Sequence, residues 1–182
     1  MRETLTTFVI VSFAYIISYS LTSGFVYPIQ TALLPEVSEK TGLLFLPHGV
    51  RIIAIYYVGW RAILLLMPAS CLMWFLSVYG SDIDLSIYAP IISLIACWIG
   101  VTLTKAIFQE KSEMLDISAW KFLIFAGAAG SLLNGIGLSL VQHDSEVGLS
   151  VLGYVIGDVA GLFISLLILM YVFKFLRHYR DI

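Results

Sequence analysis

Residues 43–58 read Leu43-Leu44-Phe45-Leu46-Pro47-His48-Gly49-Val50-Arg51-Ile52-Ile53-Ala54-Ile55-Tyr56-Tyr57-Val58, an apolar run with one permanent cation in its middle. A guanidinium stays charged at any accessible pH, and near the bilayer centre it costs at least about 2.5–3.5 kcal/mol on insertion scales. We therefore expect Arg51 to face the protein interior, a wet cavity or a counter-ion. Asp158 is the only acidic residue deep in another apolar segment, and we expect it to neutralise Arg51.

The composition is that of a membrane protein. The 182 residues are 60% hydrophobic and 12% charged, whereas a soluble domain carries about 25% charged residues. We expect a single transmembrane domain over residues 1–182, in contact with the lipid bilayer along its length. A net charge of −2 and the lack of a basic patch argue against a nucleic-acid partner.

Six apolar segments predict six transmembrane helices. The stretch from Leu43 to Tyr79 is too long for one span, because about 20 residues cross a bilayer. Gly59-Trp60-Arg61 interrupts it, so we divide it there. The predicted spans are 8–32, 44–58, 62–78, 85–104, 119–141 and 149–175, and the fold class is an all-α, polytopic bundle.

The basic residues predict the orientation of this bundle. With the N-terminus inside, most of them fall at inner ends: Arg2, Arg61, Lys105, Lys111, Lys121, Lys174, Arg177 and Arg180. The outer loops hold Lys40 beside several acidic residues. Lys and Arg concentrate on the cytoplasmic side of membrane proteins, so both termini are predicted to be cytoplasmic.

Three polar residues from three spans are predicted to share one layer. Counting along the spans places Arg51, Asn134 and Asp158 roughly 10–14 Å below the outer surface. His48 lies one turn nearer the outside on the same helical face as Arg51. Three interpretations stay open for this layer: a structural ion pair, an outward-facing pocket in which Arg51 holds a small anionic ligand, and a proton or ion pathway.

Small residues form stripes beside this layer. Gly153, Gly157 and Gly161 repeat every four residues, and Gly127 and Ser131 do the same on the preceding span. Small faces allow helices to approach closely in lipid, so we expect these five residues to serve helix packing. A similar stripe in the fourth span contains Ser93, Cys97, Gly100 and Thr104.

The sequence contains none of the common enzymatic motifs, such as His-Glu-x-x-His, Gly-x-Ser-x-Gly or a phosphate loop. We therefore expect no enzyme activity, no catalytic residue and no cofactor. Cys71 and Cys97 have no partner at metal-ligand spacing, which predicts buried apolar residues and no metal site. His143-Asp144 and Glu146 are interpreted as a solvated outer loop in preference to a cation site.

The order of several segments resembles the MASE1 membrane sensor domain. Residues 46–54 and then 59–62 look like its W-P-x-A-G-(I/V)-(x)-L-A … G-x-R segment, and residues 116–123 resemble the stretch before its penultimate helices. Residues 152–161 are similar to its W-x-G-D-x-x-G signature. The resemblance covers residues 40–175 and implies a bacterial sensory domain of the inner (cytoplasmic) membrane, normally fused to histidine kinase or cyclic-dinucleotide output domains.

The chain departs from that pattern in two ways. It ends at Ile182 without an output domain, and it carries His48 and Arg51 where the family tends to be less polar. We expect a sensory, ligand-binding module that acts through a separate membrane or cytoplasmic protein. The alternatives are an accessory subunit of a larger membrane complex, docked through the small-residue faces, and a substrate-capture component of a transporter, by analogy of architecture alone.

Overall fold

The computed structural model of the chain describes residues 2–34, 42–81, 85–109, 119–142 and 147–180. Within these ranges there is no strand, and the all-α prediction is confirmed there. In chain order the elements are α1 (Arg2–Leu21), a π-helix (Thr22–Val26), α2 (Tyr27–Leu33), α3 (Leu46–Val58), α4 (Arg61–Ser81), α5 (Ala89–Gln109), α6 (Ala119–Gln142) and α7 (Val147–Arg180). Several residues named above lie outside the described ranges: Lys40, Lys111, residues 116–118, His143, Asp144 and Glu146.

Five helical stretches of the described chain are long and apolar enough to cross a membrane. They are Arg2–Leu33, Arg61–Gly80, Ala89–Phe108, Ala119–Gln142 and Val147–Tyr179. The predicted second span differs from them, because α3 has only 13 residues. A helix of that size is about 20 Å long, and about 20 residues are needed to cross a bilayer.

The short helix α3 forms the centre of the bundle. It packs against α1, α4, α5, α6 and α7. Its buried residues include the polar His48 and Arg51. The apolar Ile52 and Ile55 are also buried, and each is at most 1% exposed. Surrounding helices therefore shield the two most polar side chains of α3 from lipid.

Local sequence sets both ends of α3. Pro47 lies in the first turn of α3, where backbone N–H groups have no acceptor within the helix. The lack of an N–H in proline therefore costs no helical hydrogen bond there. Gly59 ends the helix with φ 71° and ψ −150°, a conformation that essentially only glycine adopts. Gly59 N donates to Ile55 O at 2.8 Å, and Ala62 N donates to Gly59 O at 3.0 Å. The chain therefore turns directly from α3 into α4, at the point where the sequence predicted a division.

A non-helical segment, residues 42–45, precedes α3 and lies against α7. Two of its backbone N–H groups have partners from other elements: Leu43 N donates to Gln30 Oε1 at 2.7 Å, and Phe45 N to Gly157 O at 2.9 Å. The first N–H of α3, from Leu46, donates to Thr22 Oγ1 at 3.3 Å. Irregular backbone at membrane depth is tolerated where its polar groups are satisfied inside the protein.

Gly157 and Gly161 of α7 accommodate this segment, whereas the sequence predicted that they pack helix against helix. A Cβ on Gly157 would collide with the carbonyl oxygen of Gly42, and one on Gly161 with that of Phe45. Gly153 is half-buried. On α6, Gly127 faces the side chain of Leu162.

The small residues of α5 and α6 do bring two helices together. A Cβ on Gly100 would lie 2.7 Å from Gly130 Cα, and one on Gly130 would lie 3.1 Å from Cys97 Cα. The predicted stripe on the fourth span therefore packs inside the chain, against α6.

The first predicted span, 8–32, is interrupted. A π-helix separates α1 from α2, and Pro28 lies in the first turn of α2. Proline has no N–H to donate to the preceding turn, and π-helical turns often occur at such irregularities. The Thr22 hydroxyl donates to Ser18 O at 3.0 Å and accepts from Leu46 N. The interruption therefore provides an acceptor for the first residue of α3.

The outer surface of the bundle is apolar. The exposed side chains of α7 include Phe163, Ile168, Phe173 and Leu176, each at least 49% exposed. A contiguous apolar surface of this extent marks contact with a membrane or a partner. Together with the long apolar helices, it indicates an integral membrane protein.

Candidate functional site

One end of the bundle contains a cavity with a volume of about 90 Å³. The helices α1 to α7 all contribute to its lining, together with segment 42–45 and Leu85 before α5. Its polar and charged lining side chains are Tyr15, Tyr19, Tyr27, Arg51, Ser70, Ser93, Asn134, Tyr154 and Asp158. A cavity of this kind combines apolar walls with a few convergent polar groups, as ligand sites do.

Arg51 lines this cavity and is 5% exposed. Its Nη2 donates to Tyr15 Oη at 2.6 Å, while its buried Nε has no hydrogen-bond partner. The guanidinium carbon lies 5.2 Å from the ring centre of Tyr15 and 5.6 Å from that of Phe45. Aromatic faces attract cations at this distance, so two rings partly replace the water that the guanidinium has lost.

Tyr15 connects Arg51 to α4. Its hydroxyl accepts from Arg51 and lies 3.1 Å from Ser70 Oγ. One turn further along α1, the Tyr19 hydroxyl lies 2.7 Å from Ser77 Oγ, which itself donates to Met73 O. Since the Ser77 proton is used in that way, Tyr19 donates to Ser77. These bonds fix two tyrosine rings at the cavity wall.

Asp158 interacts with His48 and Ser131. Ser131 Oγ donates to Asp158 Oδ2 at 2.7 Å, and His48 Nδ1 lies 3.3 Å from the same oxygen. The other imidazole nitrogen, Nε2, lies 3.1 Å from Gly127 O and must carry a proton, because a carbonyl oxygen only accepts. All three side chains of this cluster are at most 2% exposed.

The direct ion pair between Arg51 and Asp158 that the sequence predicted is not formed. No Arg51 nitrogen lies within 4.0 Å of an Asp158 oxygen, although both residues line the cavity. His48, one turn before Arg51, takes the carboxylate, and the longer Arg51 side chain extends to α1. The predicted layer was drawn from depth along each helix, which does not specify the direction in which a side chain points.

Asn134 also lines the cavity, and its Oδ1 accepts from Ser93 Oγ at 2.8 Å. Of the four residues predicted to form the polar core, Arg51, Asn134 and Asp158 therefore meet at the cavity wall. His48 lies behind that wall and reaches it through Asp158.

Cys97 Sγ lies 3.7 Å from His48 Nδ1, which brings a thiol, an imidazole and a carboxylate together. The thiol and the carboxylate approach the same nitrogen, whereas a nucleophile–base–carboxylate relay needs them on opposite nitrogens.

Across the described residues, no group of three His, Cys, Asp or Glu side chains is placed to hold a metal ion. Cys71 is exposed, contrary to its predicted burial.

The sequence reasoning missed the contribution of α1. The buried face of this helix is polar, and Ser12, Tyr15, Ser18 and Thr22 recur along it at intervals of three or four residues. Such a stripe in an otherwise apolar span was visible in the sequence. In lipid, polar side chains turn inward to find partners, so the stripe indicated which face of α1 meets the bundle.

No protein-family model, curated protein or solved structure matches this chain.

Proposed function

We propose that the chain is a sensory module of a bacterial cytoplasmic membrane, which binds a small anionic ligand and acts through a separate protein. The observation that carries the proposal is a buried arginine at the wall of a cavity, with no carboxylate within ion-pair distance among the described residues. Removing a charge from water costs free energy unless the charge is paired. An anionic ligand in the cavity would pair with Arg51 and offset that cost.

The proposed topology has six crossings, with both termini in the cytoplasm. Segment 42–45 adds up to about 13 Å to the roughly 20 Å of α3, so the two together are long enough to cross the hydrocarbon core of about 30 Å. In each of α4, α5 and α6, one basic residue lies near the helix end that is farther along the chain from the cavity-lining residues. These basic residues are Arg61, Lys105 and Lys121. With basic residues inside, the cavity faces the outer side.

The resemblance to MASE1 supports the sensory assignment at three residues. In the Gly157-Asp158-x-x-Gly161 element, the two glycines leave room for segment 42–45, and the aspartate contacts His48 of α3. The element therefore attaches the central helix and the segment before it to α7. A ligand at the cavity wall is in a position to alter that attachment and so to be reported by α7.

The two alternatives have less support. An accessory subunit was expected to dock through its small-residue faces, but Gly100, Gly130 and Gly157 pack against neighbours within this chain. A substrate-capture component would use the same cavity. A substrate-capture component differs from a sensory module because the compound that it binds must cross the membrane. Uptake of the compound into vesicles measures this difference.

Native mass spectrometry of the protein purified in mild detergent tests the proposal. We expect small anions to stay bound to the wild type and to an Arg61→Met variant, which loses an exposed arginine at the start of α4. Binding should be lost in Arg51→Met and weakened in Arg51→Lys. Anion binding that is equal in all four folded proteins, or absent from the wild type, contradicts the proposal.

A further inference from the structure

The cavity walls are dominated by aromatic rings. Its lining includes Tyr15, Tyr19, Tyr27, Phe45, Trp74 and Tyr154. Several of these rings are fixed: Tyr19 bonds to Ser77 as described, and Trp74 Nε1 donates to Leu85 O at 3.2 Å. Tyr19 and Phe45 meet edge to face, with ring centres 6.0 Å apart. Ordered rings of this kind favour a flat aromatic guest over a flexible aliphatic one.

Arg51 places a permanent positive charge at the cavity wall. The carboxylate at that wall, Asp158, accepts from Ser131 Oγ and lies 3.3 Å from His48 Nδ1. Arg51 has no carboxylate within ion-pair distance among the described residues, so its charge is left for a ligand.

The volume limits the guest. About 90 Å³ accommodates roughly six to nine water molecules at 10–15 Å³ each. One ring with one small charged group is suited to that space, whereas a nucleotide or a lipid headgroup with its chains is not. A single carboxylate also matches the planar donor pattern of a guanidinium.

Building on the proposed function, we infer that the ligand is a small aromatic monocarboxylate. Its carboxylate accepts hydrogen bonds from the Arg51 guanidinium, and its ring lies among Tyr19, Phe45 and Trp74. One guanidinium at the wall matches one carboxylate on the guest.

Three compounds of similar shape separate the parts of this inference. Isothermal titration of the purified full chain uses benzoate, cyclohexanecarboxylate, which has the charge without the aromatic ring, and benzamide, which has the ring without the charge. We expect benzoate to bind about tenfold more tightly than either. Equal binding of cyclohexanecarboxylate overturns the aromatic assignment while the anion-binding function stands, and equal binding of benzamide overturns the carboxylate assignment. If none of the three binds and no anion co-purifies, the inference and the proposed function both fail.

Two variants with matched controls locate the site. Trp74→Leu should weaken benzoate binding about tenfold and leave cyclohexanecarboxylate unchanged. Trp98→Leu, at a side chain that is 38% exposed on α5 and does not line the cavity, should change neither. Arg51→Lys, which keeps the charge but loses the planar donors, should weaken both carboxylates. Benzoate binding that survives Trp74→Leu at full strength overturns the inference.

Discussion

Arg51 is stabilised by the Tyr15 hydroxyl and two aromatic rings. The depth of Arg51 below the membrane surface, estimated by counting residues along its span, did not predict these partners. The sequence placed Arg51, Asn134 and Asp158 in one layer, and the structure has all three at one cavity wall. Their partners were not predictable from depth alone. Whether Arg51 reaches α7 or α1 depends on the rotation of each helix about its axis, and Tyr15 belongs to a helix whose polar stripe was not used in that prediction.

Removing the Tyr15 hydroxyl should expose the dependence of Arg51 on α1. Tyr15→Phe keeps the ring but deletes the acceptor of the 2.6 Å hydrogen bond from Arg51. We expect the free energy of unfolding in mixed detergent micelles to fall by about 1–3 kcal/mol, because a buried charged donor loses its acceptor. Tyr57→Phe, at a side chain that is 73% exposed, is the control and should change stability by less than about 0.5 kcal/mol. Equal effects of the two variants would show that the bond contributes nothing.

A double-mutant cycle distinguishes the observed pairing from the predicted one. Combining His48→Gln with Asp158→Asn should give a coupling energy of about 1–3 kcal/mol, as residues in contact do. Combining Arg51→Met with Asp158→Asn should give a smaller one, because no direct ion pair joins them. The free energy of unfolding of each single and double variant provides the measurement. A larger coupling for the second pair would restore the predicted ion pair.

At the scale of elements, the central feature is a short helix that begins with irregular backbone. The division at Gly59-Trp60-Arg61 was predicted, because charge and glycine interrupt the apolar run there. The start of α3 at Leu46 was not, because Leu43, Leu44 and Phe45 continue the apolar pattern without a break. Hydropathy measures whether residues prefer lipid, and it does not distinguish a helix from a non-helical segment whose N–H groups find partners on other elements.

The fit of segment 42–45 against α7 can be tested with glycine substitutions. Gly157→Ala places a methyl group on the carbonyl oxygen of Gly42, which belongs to the backbone and moves little. We expect a loss of about 1–3 kcal/mol in the free energy of unfolding, as overpacking produces. Gly148→Ala, also in α7 but with no atom within 4 Å of the new carbon, should be neutral or stabilising by up to about 1 kcal/mol. A neutral Gly157→Ala would mean that the segment does not lie there.

At the scale of the whole molecule, sequence composition was sufficient to predict an all-α membrane protein. The number of crossings was harder to predict. Six apolar segments were counted, but only five helical stretches of the described chain reach spanning length. The proposed sixth crossing requires helical and non-helical backbone together, and a count of apolar residues does not measure that combination.

Cysteine labelling measures whether α3 crosses. Trp60 in the α3–α4 turn is 57% exposed, and Leu34, which follows α2 and precedes α3 in the chain, is 45% exposed. With Cys71 replaced by alanine, a membrane-impermeant maleimide should label Trp60→Cys in inverted vesicles only, and Leu34→Cys in spheroplasts only. Labelling of both positions from the same side would leave α3 as a helix that does not cross, and the proposed orientation would then fail.

The central position of α3 has a consequence for biogenesis. A helix of 13 residues that carries His48 and Arg51 is a poor substrate for independent release from the translocon into lipid, because charged side chains partition unfavourably there. Tyr15, which accepts from Arg51, is synthesised before α3, whereas Asp158, which lies against His48, is synthesised later. The polar side chains of α3 therefore have all of these partners only after α7 has been synthesised. A nascent chain arrested before α7 presents an unaccommodated polar helix, the kind of defect that membrane proteases recognise.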